Sequence, residues 1–351
     1  MMSSTRRTIY KIKKKKKKRR RILLVLIPFL ILALGATTYG AYLYTKAQSV
    51  FNNSYDPLAG SDKRDVDPMA DNISLLFIGV DDSEKRQFQG NSRSDALMLA
   101  TFNKKENSIK LLSIPRDSYV YIPERGSKTK INAAHALGGP QATMDTVEEL
   151  LDIPVDYYVR MNFNAFIDVV NALNGIEVNV PYELREQDSK DRAGAIHLQP
   201  GVQTVNGEQA LALARTRKQD TDIMRGERQQ EILKAIMKKA TSVGAVTKYT
   251  DVMQAVGDNM TTNLKFGQMK SFISYVTNDS GLNIESVKLE GSDLRLSGVY
   301  YYQINEMSLI EAQSALKQHL NITSQNSPSS TTQDTQSATT QPAQETAEAQ
   351  N

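Results

Sequence analysis

The chain has 351 residues, 40% of them hydrophobic and 23% charged, with no cysteine and three histidines. Without cysteine, a disulfide framework, a thiolate nucleophile and a thiolate-ligated metal are excluded. The net charge of +4 is uneven, because residues 1–21 hold 12 Lys or Arg and no acid, which leaves 31 basic and 39 acidic residues, a charge of −8, in residues 22–351. This acidic body argues against specific nucleic-acid binding, which needs a basic face on the folded domain.

A membrane anchor is predicted directly after the basic tail. Ile22–Tyr44 is a stretch of 23 residues without charge, and about 20 apolar residues cross a bilayer as a helix. A cleaved signal peptide is the alternative, but its apolar core is only ~7–15 residues long. Because positive residues stay in the cytoplasm, we expect residues 1–21 to be a cytoplasmic tail, residues 22–44 a transmembrane helix and the remainder extracellular.

The extracellular part divides by composition into three segments. Residues 45–71 are rich in Asn, Asp, Pro and Gly, which is typical of a spacer. Residues 323–351 contain 18 Ser, Thr or Gln and no Leu, Ile, Val or Phe, so we expect a disordered tail that cannot bury enough apolar surface to fold. Residues 72–322 between them are long enough for one substantial core.

Within residues 72–322, short apolar runs alternate with helical patterns. The apolar runs predict strands at Ile73–Val80, Ala96–Phe102, Ile109–Ile114, Asp156–Met161 and Ile176–Val180. The 3.6-residue periodicity predicts helices at Thr143–Leu151, Phe163–Leu173, Asn206–Thr216, Asp222–Ala240, Leu264–Val276 and Ser308–Leu320. This alternation predicts an α/β fold with a mixed central sheet and helices on both faces.

Charged residues stand at the ends of the first three predicted strands. Asp81 follows the first strand, Arg93 and Asp95 precede the second, and Arg116 follows the third. In open α/β sheets, ligands bind outside the carboxyl ends of strands, so these residues predict a site for an anion together with a cation. A network of ion pairs between loops is the alternative.

A second charged cluster lies where two predicted helices meet. Arg215 and Arg217 end one helix, Asp222 begins the next, and Arg225 and Gln229 share a face of its first turns. Arginine can bind phosphate oxygens in a bidentate way, and a helix N-terminus favours anions. There are two alternatives to an anion-binding site here. The cluster could be a salt-bridged helix turn, or Asp220 and Asp222 could be the metal-binding Asp-x-Asp of a nucleotide-sugar transferase. The phosphate-binding loops of ATP and dinucleotide enzymes and the G-x-S-x-G elbow of serine hydrolases are missing from the sequence.

These motifs, in this order, resemble the LytR-CpsA-Psr family. The matching segments are GVD (79–81), RSD (93–95), SIPRD (113–117), KINAAHA (130–136), DYYVRMNF (156–163), NGIEVNVP (174–181), the NGEQALALARTR run to Arg217 and the D-x-x-R-x-x-R-Q-Q block (222–230). The sequence departs from the family pattern at Ser83, where many members have arginine, and in having D-T-D in place of D-G-D.

The resemblance implies a transferase of cell-wall assembly in a Gram-positive-type bacterium. Family members move a glycopolymer from a polyprenyl-pyrophosphate carrier in the membrane to a muramic acid hydroxyl of peptidoglycan, with Mg²⁺ (or Mn²⁺) as cofactor. By resemblance, Asp81 and Asp95 hold the metal, and Arg116, Asp95 and Asp222 are catalytic. The expected pyrophosphate ligands are Arg93, Arg116, Arg215, Arg217, Arg225 and Gln229. The family's lipid tunnel makes Phe163, Phe166, Ile167, Val170 and Leu211 candidate lining residues.

Three other functions stay open at this level. A transcription attenuator would have to bind DNA through a cytoplasmic part of about 21 residues, which is too short for a helix-turn-helix. A scaffold that only binds polyprenyl phosphate would need the arginines but not Asp81 and Asp95. A lipid pyrophosphatase would use the same site with water in place of the sugar hydroxyl.

Overall fold

The computed structural model describes most of the region from residue 70 to residue 322. The described residues are 34–35, 37–46, 48–50, 52–58, 64, 66–68, 70–81, 92–216, 222–240, 257, 259–269 and 282–322. The predicted cytoplasmic tail (1–21), most of the predicted anchor (22–44) and the predicted C-terminal tail (323–351) lie outside these residues. Residues 37–46 are helical, and no helix within the described ranges has both the length and the hydropathy to cross a membrane.

The five strands that the apolar patterns predicted are all present, and the described residues form nine further strands that the patterns did not predict. The strands are β1 (Ile73–Val80), β2 (Ser94–Asn103), β3 (Ser108–Ile114), β4 (Tyr119–Ile122), β5 (Ser127–Lys130), β6 (Tyr157–Asn162), β7 (Ile176–Val180), β8 (Leu184–Glu186), β9 (Ile196–Leu198), β10 (Gly201–Val205), β11 (Met260–Thr262), β12 (Asn283–Val287), β13 (Gly291–Leu296) and β14 (Val299–Ile304). The helices are α1 (Ala133–Leu151), α2 (Phe163–Ala172), α3 (Gly207–Arg215), α4 (Asp222–Ala240) and α5 (Glu306–His319).

A six-stranded mixed sheet in the order β11-β6-β1-β2-β3-β12 forms the centre of the fold. In this sheet, β2 pairs antiparallel with both β1 and β3. The strand β6 pairs in parallel with β1, and β12 pairs in parallel with β3. The predicted mixed α/β sheet is therefore confirmed. Because β2 runs against β1 and β3, its amino end lies beside their carboxyl ends, and all three predicted charged segments meet at one edge.

Helices cover both faces of this sheet. Leu76, Ile78, Leu97 and Leu99 are buried against α1 and α5. Their neighbours in sequence face the other way, as the two-residue period of a strand requires, and pack with residues of α4 such as Leu233 and Met237. This burial on both faces explains the nearly continuous apolar runs of β1, β2 and β3.

The helix α1 is ten residues longer at its amino end than the periodicity predicted. It begins at Ala133, not at Thr143, and contains a kink where Gly138 and Gly139 leave helical backbone angles. The sequence G-G-P interrupts the apolar period at this point, and Pro140 removes a helical hydrogen bond. The predicted helix Leu264–Val276 is described only to residue 269, of which 266–269 are helical.

A buried histidine joins the end of α5 to the central sheet. His319 is 2% exposed, and its ring nitrogens hydrogen-bond the hydroxyl groups of Thr101 at 2.8 Å and Ser108 at 2.9 Å. Burial, with a smaller contribution from the charge of Lys110, lowers the pKa of His319 from 6.5 to about 4. The folded protein therefore holds this imidazole neutral at pH values where the unfolded chain protonates it.

This difference predicts that the free energy of unfolding falls as the pH is lowered from about 6.5 towards 4. The unfolded state then binds the proton first, so the wild type should lose about 2 kcal/mol between pH 7 and pH 5 relative to His319→Gln. Urea unfolding at both pH values measures this difference. The matched control is His197→Gln, since the His197 side chain is 42% exposed. Equal pH dependence in wild type and His319→Gln would contradict the prediction.

Candidate active site

A large cavity lies between the central sheet and the helices α2, α3 and α4. Its volume is about 870 Å³, which is ample for a lipid chain or a drug-sized ligand. The sheet contributes one wall with residues such as Leu75, Met98 and Leu111, and α4 contributes the opposite wall. We refer to this space as the sheet–helix cavity.

The cavity changes from polar to apolar along α4. Arg225 and Gln229 line it in the first two turns, and Ile232, Leu233, Ile236, Met237 and Ala240 line it further along. These positions share one face at helical spacing. Arg225 and Ala240 are 15 positions apart, so this face of α4 is ~22 Å long at 1.5 Å per residue, and its apolar part from Ile232 to Ala240 is ~12 Å long.

The sheet side has the same gradient. Asp81 follows β1, Asp95 lies at the start of β2 and Arg116 follows β3, and all three line the cavity. Deeper along the same strands, the lining becomes Leu75, Phe102 and Ile109 among others. We call the charged region the polar end, and it comprises Asp81, Asp95, Arg116, Arg215, Arg225 and Gln229. The cavity is therefore shaped for an amphiphile with an anionic head and a long apolar tail.

A bulge in β2 directs Asp95 to the polar end. Gly79 pairs with Ala96 but Val80 pairs with Ser94, so Asp95 is an extra residue opposite β1. In a regular strand Asp95 would face the same side as Leu97, which is buried on the α1 side of the sheet. The bulge interrupts this alternation, as bulges commonly do beside binding sites. Asp95 and its neighbour Ala96 consequently both line the cavity.

Arg116 is held by a short chain of charges. Its Nη1 forms an ion pair with Asp95, and its Nε lies 3.7 Å from a carboxylate oxygen of Asp117. Asp117 is 7% exposed and also binds Lys130 Nζ at 2.8 Å. This arrangement fixes the guanidinium on the wall of the cavity before any ligand is present, which is what a preorganised anion site requires.

Two further contacts orient the polar groups on the helices. The guanidinium of Arg215 lies over the ring of Phe163, 4.7 Å from its centre, and the side-chain amide of Gln229 donates to the carbonyl of Ala214 at 3.2 Å. Arg225 is only 5% exposed. A Cβ at its neighbour Gly226 would lie 2.7 Å from Ser113 Oγ, so α4 packs closely on β3 beside Arg225.

Not every predicted site residue lines the cavity. Arg93 is exposed and is absent from the lining, so its role in pyrophosphate binding stays a prediction. Arg217 lies outside the described residues, and Asp222 is described only as the first residue of α4. Of the predicted lipid-lining residues, Phe163, Phe166 and Leu211 line the cavity. Val170 packs instead in the core between α3 and the two-stranded sheet of β7 and β10, and Ile167 is buried outside the lining.

Several positioning residues were not singled out from the sequence. Arg228 is 8% exposed and donates to the carbonyls of Leu213 and Thr216 at the end of α3, at 2.5 and 3.0 Å. His135 hydrogen-bonds the carbonyl of Ser92, just before Arg93, at 2.5 Å and accepts from Arg160 at 3.3 Å. The KINAAHA motif contained the signal for His135, but its partners are distant in the sequence.

The donor set at the polar end fits a hard divalent cation. Asp81 and Asp95 present carboxylates to the same cavity from adjacent strand ends. In the described residues no group of three or more acidic, histidine or cysteine side chains is placed to hold an ion. Two carboxylates suit Mg²⁺ nevertheless, because this ion is commonly bound by one or two carboxylates together with substrate phosphates and water.

Comparison with known proteins agrees with this geometry. The LytR_cpsA_psr family model matches residues 41–318. The chain belongs to the LytR-CpsA-Psr family. A relative in this family, the polyisoprenyl-teichoic acid–peptidoglycan teichoic acid transferase TagT of Bacillus subtilis, is 41% identical over 304 residues, covering 85% of this chain and 93% of TagT.

Two solved structures from the LytR-CpsA-Psr family share the fold. TagT bound to LI-WTA superposes with a TM-score of 0.64 and 41% identity, over 76% of this chain and 98% of that one. The family protein YwtF (TagT) with bound octaprenyl pyrophosphate lipid has a TM-score of 0.61 and 38% identity over the same shares of the two chains. The resemblance in the sequence motifs is therefore confirmed at the level of family and fold.

Proposed function

We propose that this protein transfers a glycopolymer from a polyprenyl-pyrophosphate carrier to a muramic acid hydroxyl of peptidoglycan. The observation that supports this most directly is the sheet–helix cavity, with arginines and carboxylates at one end and an apolar stretch of α4 ~12 Å long behind them. A relative of 41% identity carries the name of such a transferase, and a structure of the same fold holds octaprenyl pyrophosphate.

The proposed reaction exchanges one phosphate ester for another. The acceptor hydroxyl oxygen attacks the phosphorus that carries the glycan, and the bond from this phosphorus to the bridging oxygen breaks. The polyprenyl phosphate leaves with the electron pair of that bond, and the hydroxyl proton passes to a carboxylate at the polar end. The product is a phosphodiester between glycopolymer and peptidoglycan.

The arginines of the polar end have the main catalytic task. Negative charge grows on both phosphates as the pyrophosphate bond breaks, and guanidinium groups fixed beside them offset it. Arg116 is preorganised by Asp95 and Asp117, and Arg215 by the Phe163 ring. Asp117 is buried between Arg116 and Lys130, so its role is to position these two side chains. The side chain of Asp95 is 28% exposed, which makes Asp95 the better candidate to take the proton of the acceptor hydroxyl.

A divalent cation is part of this proposal. Asp81 and Asp95 would hold Mg²⁺ (or Mn²⁺), and the ion would supply further positive charge to the phosphate oxygens. Asp222 is proposed to orient the arginines from the first turn of α4.

We also propose that the protein is anchored in the cell membrane with its catalytic domain outside the cell. The basic residues 1–21 and the uncharged segment 22–44 support a single-pass anchor with a cytoplasmic N-terminus. This placement would bring the cavity next to both a lipid-linked donor and the cell wall.

Filling the apolar end of the cavity should separate binding of the lipid tail from binding of the head. Ala100 is fully buried in β2 and lines the cavity, so Ala100→Phe puts a ring where the tail would lie. We expect octaprenyl pyrophosphate to bind at least ~10-fold more weakly, because a filled cavity cannot bury the same apolar area. Fluorescence titration of the full-length protein in detergent measures the affinity.

The control is a pyrophosphate with a two-isoprene tail, which reaches only the polar end. Its affinity should change less than threefold in Ala100→Phe, about the effect of 0.6 kcal/mol. Equal loss for the long and the short ligand would indicate a disturbed fold, and no loss for either would place the lipid elsewhere and contradict the proposed function.

A further inference from the structure

Two β-hairpins beside the polar end form an aromatic surface that the proposed lipid site does not use. These are the hairpins β4–β5 and β13–β14. They are joined by a bridge between Ser118 and Tyr302 and by the hydrogen bond from Tyr302 N to Asp117 O, 2.8 Å long. The tyrosine platform, as we call this surface, consists of Tyr119, Tyr121, Tyr301, Lys128 and Lys130.

The strand alternation of β4 puts its tyrosines on the outer face. Val120 and Ile122 are buried in the core, so Tyr119 and Tyr121 point away from it. Their partners across the hairpin are Lys130 and Lys128. Tyr121 is 41% exposed and Lys128 is exposed, so this face of the hairpin is open to solvent.

The second hairpin extends the surface. The ring of Tyr301 meets that of Tyr119 edge to face, with the centres 4.9 Å apart. Lys130 Nζ lies 5.7 Å from the centres of both the Tyr300 and Tyr301 rings. The rings of Tyr119 and Tyr301 therefore hold each other in place, and they offer rigid contact area at low cost in side-chain entropy.

This surface is continuous with the polar end of the cavity. Lys130 binds Asp117 at 2.8 Å, and Asp117 adjoins Arg116, which lines the cavity and pairs with Asp95. The platform is therefore linked to the polar end through the contacts of Asp117, and the apolar residues of the cavity take no part in this link.

We propose that the tyrosine platform binds the acceptor, a peptidoglycan glycan strand, and presents its hydroxyl to the polar end. The idea rests on the proposed function. Sugar rings pack their C–H faces on aromatic rings, burying apolar area while their hydroxyl groups stay solvated. Peptidoglycan strands also carry carboxylates on their muramic acid substituents, and the exposed Lys128 matches that charge.

The test measures binding of a four-sugar peptidoglycan fragment to the full-length protein by calorimetry, without donor. Tyr121→Ala combined with Tyr301→Ala should weaken binding at least ~10-fold, because two aromatic contacts are lost. Tyr121→Phe combined with Tyr301→Phe keeps the rings, so its affinity for the fragment should stay within twofold of the wild type. Val202→Ala, at a side chain 69% exposed on β10, is a second control and should also leave the affinity within twofold. Thermal unfolding checks the fold, and Tyr121→Ala alone serves if the double variant is unstable.

A second arm tests the charge. Lys128→Glu should weaken binding of the carboxylate-bearing fragment but not of a neutral N-acetylglucosamine tetramer. Unchanged affinity of the alanine variants for the fragment would overturn the proposal. A loss of affinity for octaprenyl pyrophosphate alone would also overturn it and would assign the platform to the donor. Because binding is measured without transfer, a fragment that binds through the platform but is never joined to a polymer would refute the proposed function and leave the platform standing.

Discussion

Replacing Arg116 by lysine is expected to reduce polymer transfer about 100-fold or more while the protein stays folded. Lysine keeps the charge but loses the planar fork that can bind two phosphate oxygens at once. It also loses the fixed geometry that Arg116 has from the ion pair with Asp95 and the approach to Asp117. The measurement is the rate of joining a synthetic lipid-pyrophosphate donor to a muramic acid–containing acceptor, with the product identified by mass.

Arg225→Lys should behave in the same way, because Arg225 lines the polar end and is 5% exposed. The control is Arg185→Lys, a side chain 69% exposed that pairs with Glu183 and should not affect the rate. If Arg116→Lys and Arg225→Lys transfer polymer normally, these arginines are members of a structural ion-pair network and not ligands of the pyrophosphate.

The second large effect is expected at Asp95. Asp95→Ala should lower the rate of transfer by about 100-fold, or ~3 kcal/mol of transition-state stabilisation, because it removes a carboxylate proposed to hold the cation. Binding of octaprenyl pyrophosphate should be affected much less, because the charge that the cation offsets develops only as the pyrophosphate bond breaks. Titration of the ligand and the rate of transfer, measured on the same preparation, separate the two effects.

Removal of divalent cations should reproduce this phenotype in the wild type. A chelator is expected to abolish transfer, and added Mg²⁺ or Mn²⁺ should restore it in the wild type but not in Asp95→Ala. Asp152→Asn is a suitable control, since Asp152 pairs with Lys317 at the end of α1, away from the cavity lining. Transfer at an unchanged rate without metal or without Asp95 would leave a binding scaffold as the better account.

The predicted order of strands and helices agreed with the structure wherever one element buries a continuous face. The strands β1, β2 and β3 are covered on both sides, so their hydrophobic runs were readable without knowledge of the partners. The helix α4 was equally readable, because Arg225 and Gln229 share its face at helical spacing. Patterns of this kind depend on local chain geometry.

Short elements were harder to predict from the sequence. The hairpins β4–β5 and β13–β14 have strands of only four to six residues, with alternate burial in β4 and at the end of β14 and no buried residue in β5 or β13. Their tyrosines acquire a shared surface only because the bridge between Ser118 and Tyr302 brings the two hairpins together. Ser118 and Tyr302 are 184 positions apart in the chain. Local sequence patterns therefore could not predict this contact.

By itself, the sequence determined the family, the order of the long strands and helices and the residue types of the site, because these follow from motif order and periodicity along the chain. Only the tertiary structure decided which of those residues meet. The antiparallel pairing of β1 with β2 brings Asp81 to Asp95, and the bulge between them turns Asp95 into the cavity. Arg93, two residues earlier, stays exposed. Pairing register and bulges depend on contacts between strands that are separate in sequence, so side-chain direction at the site is a property of the folded sheet.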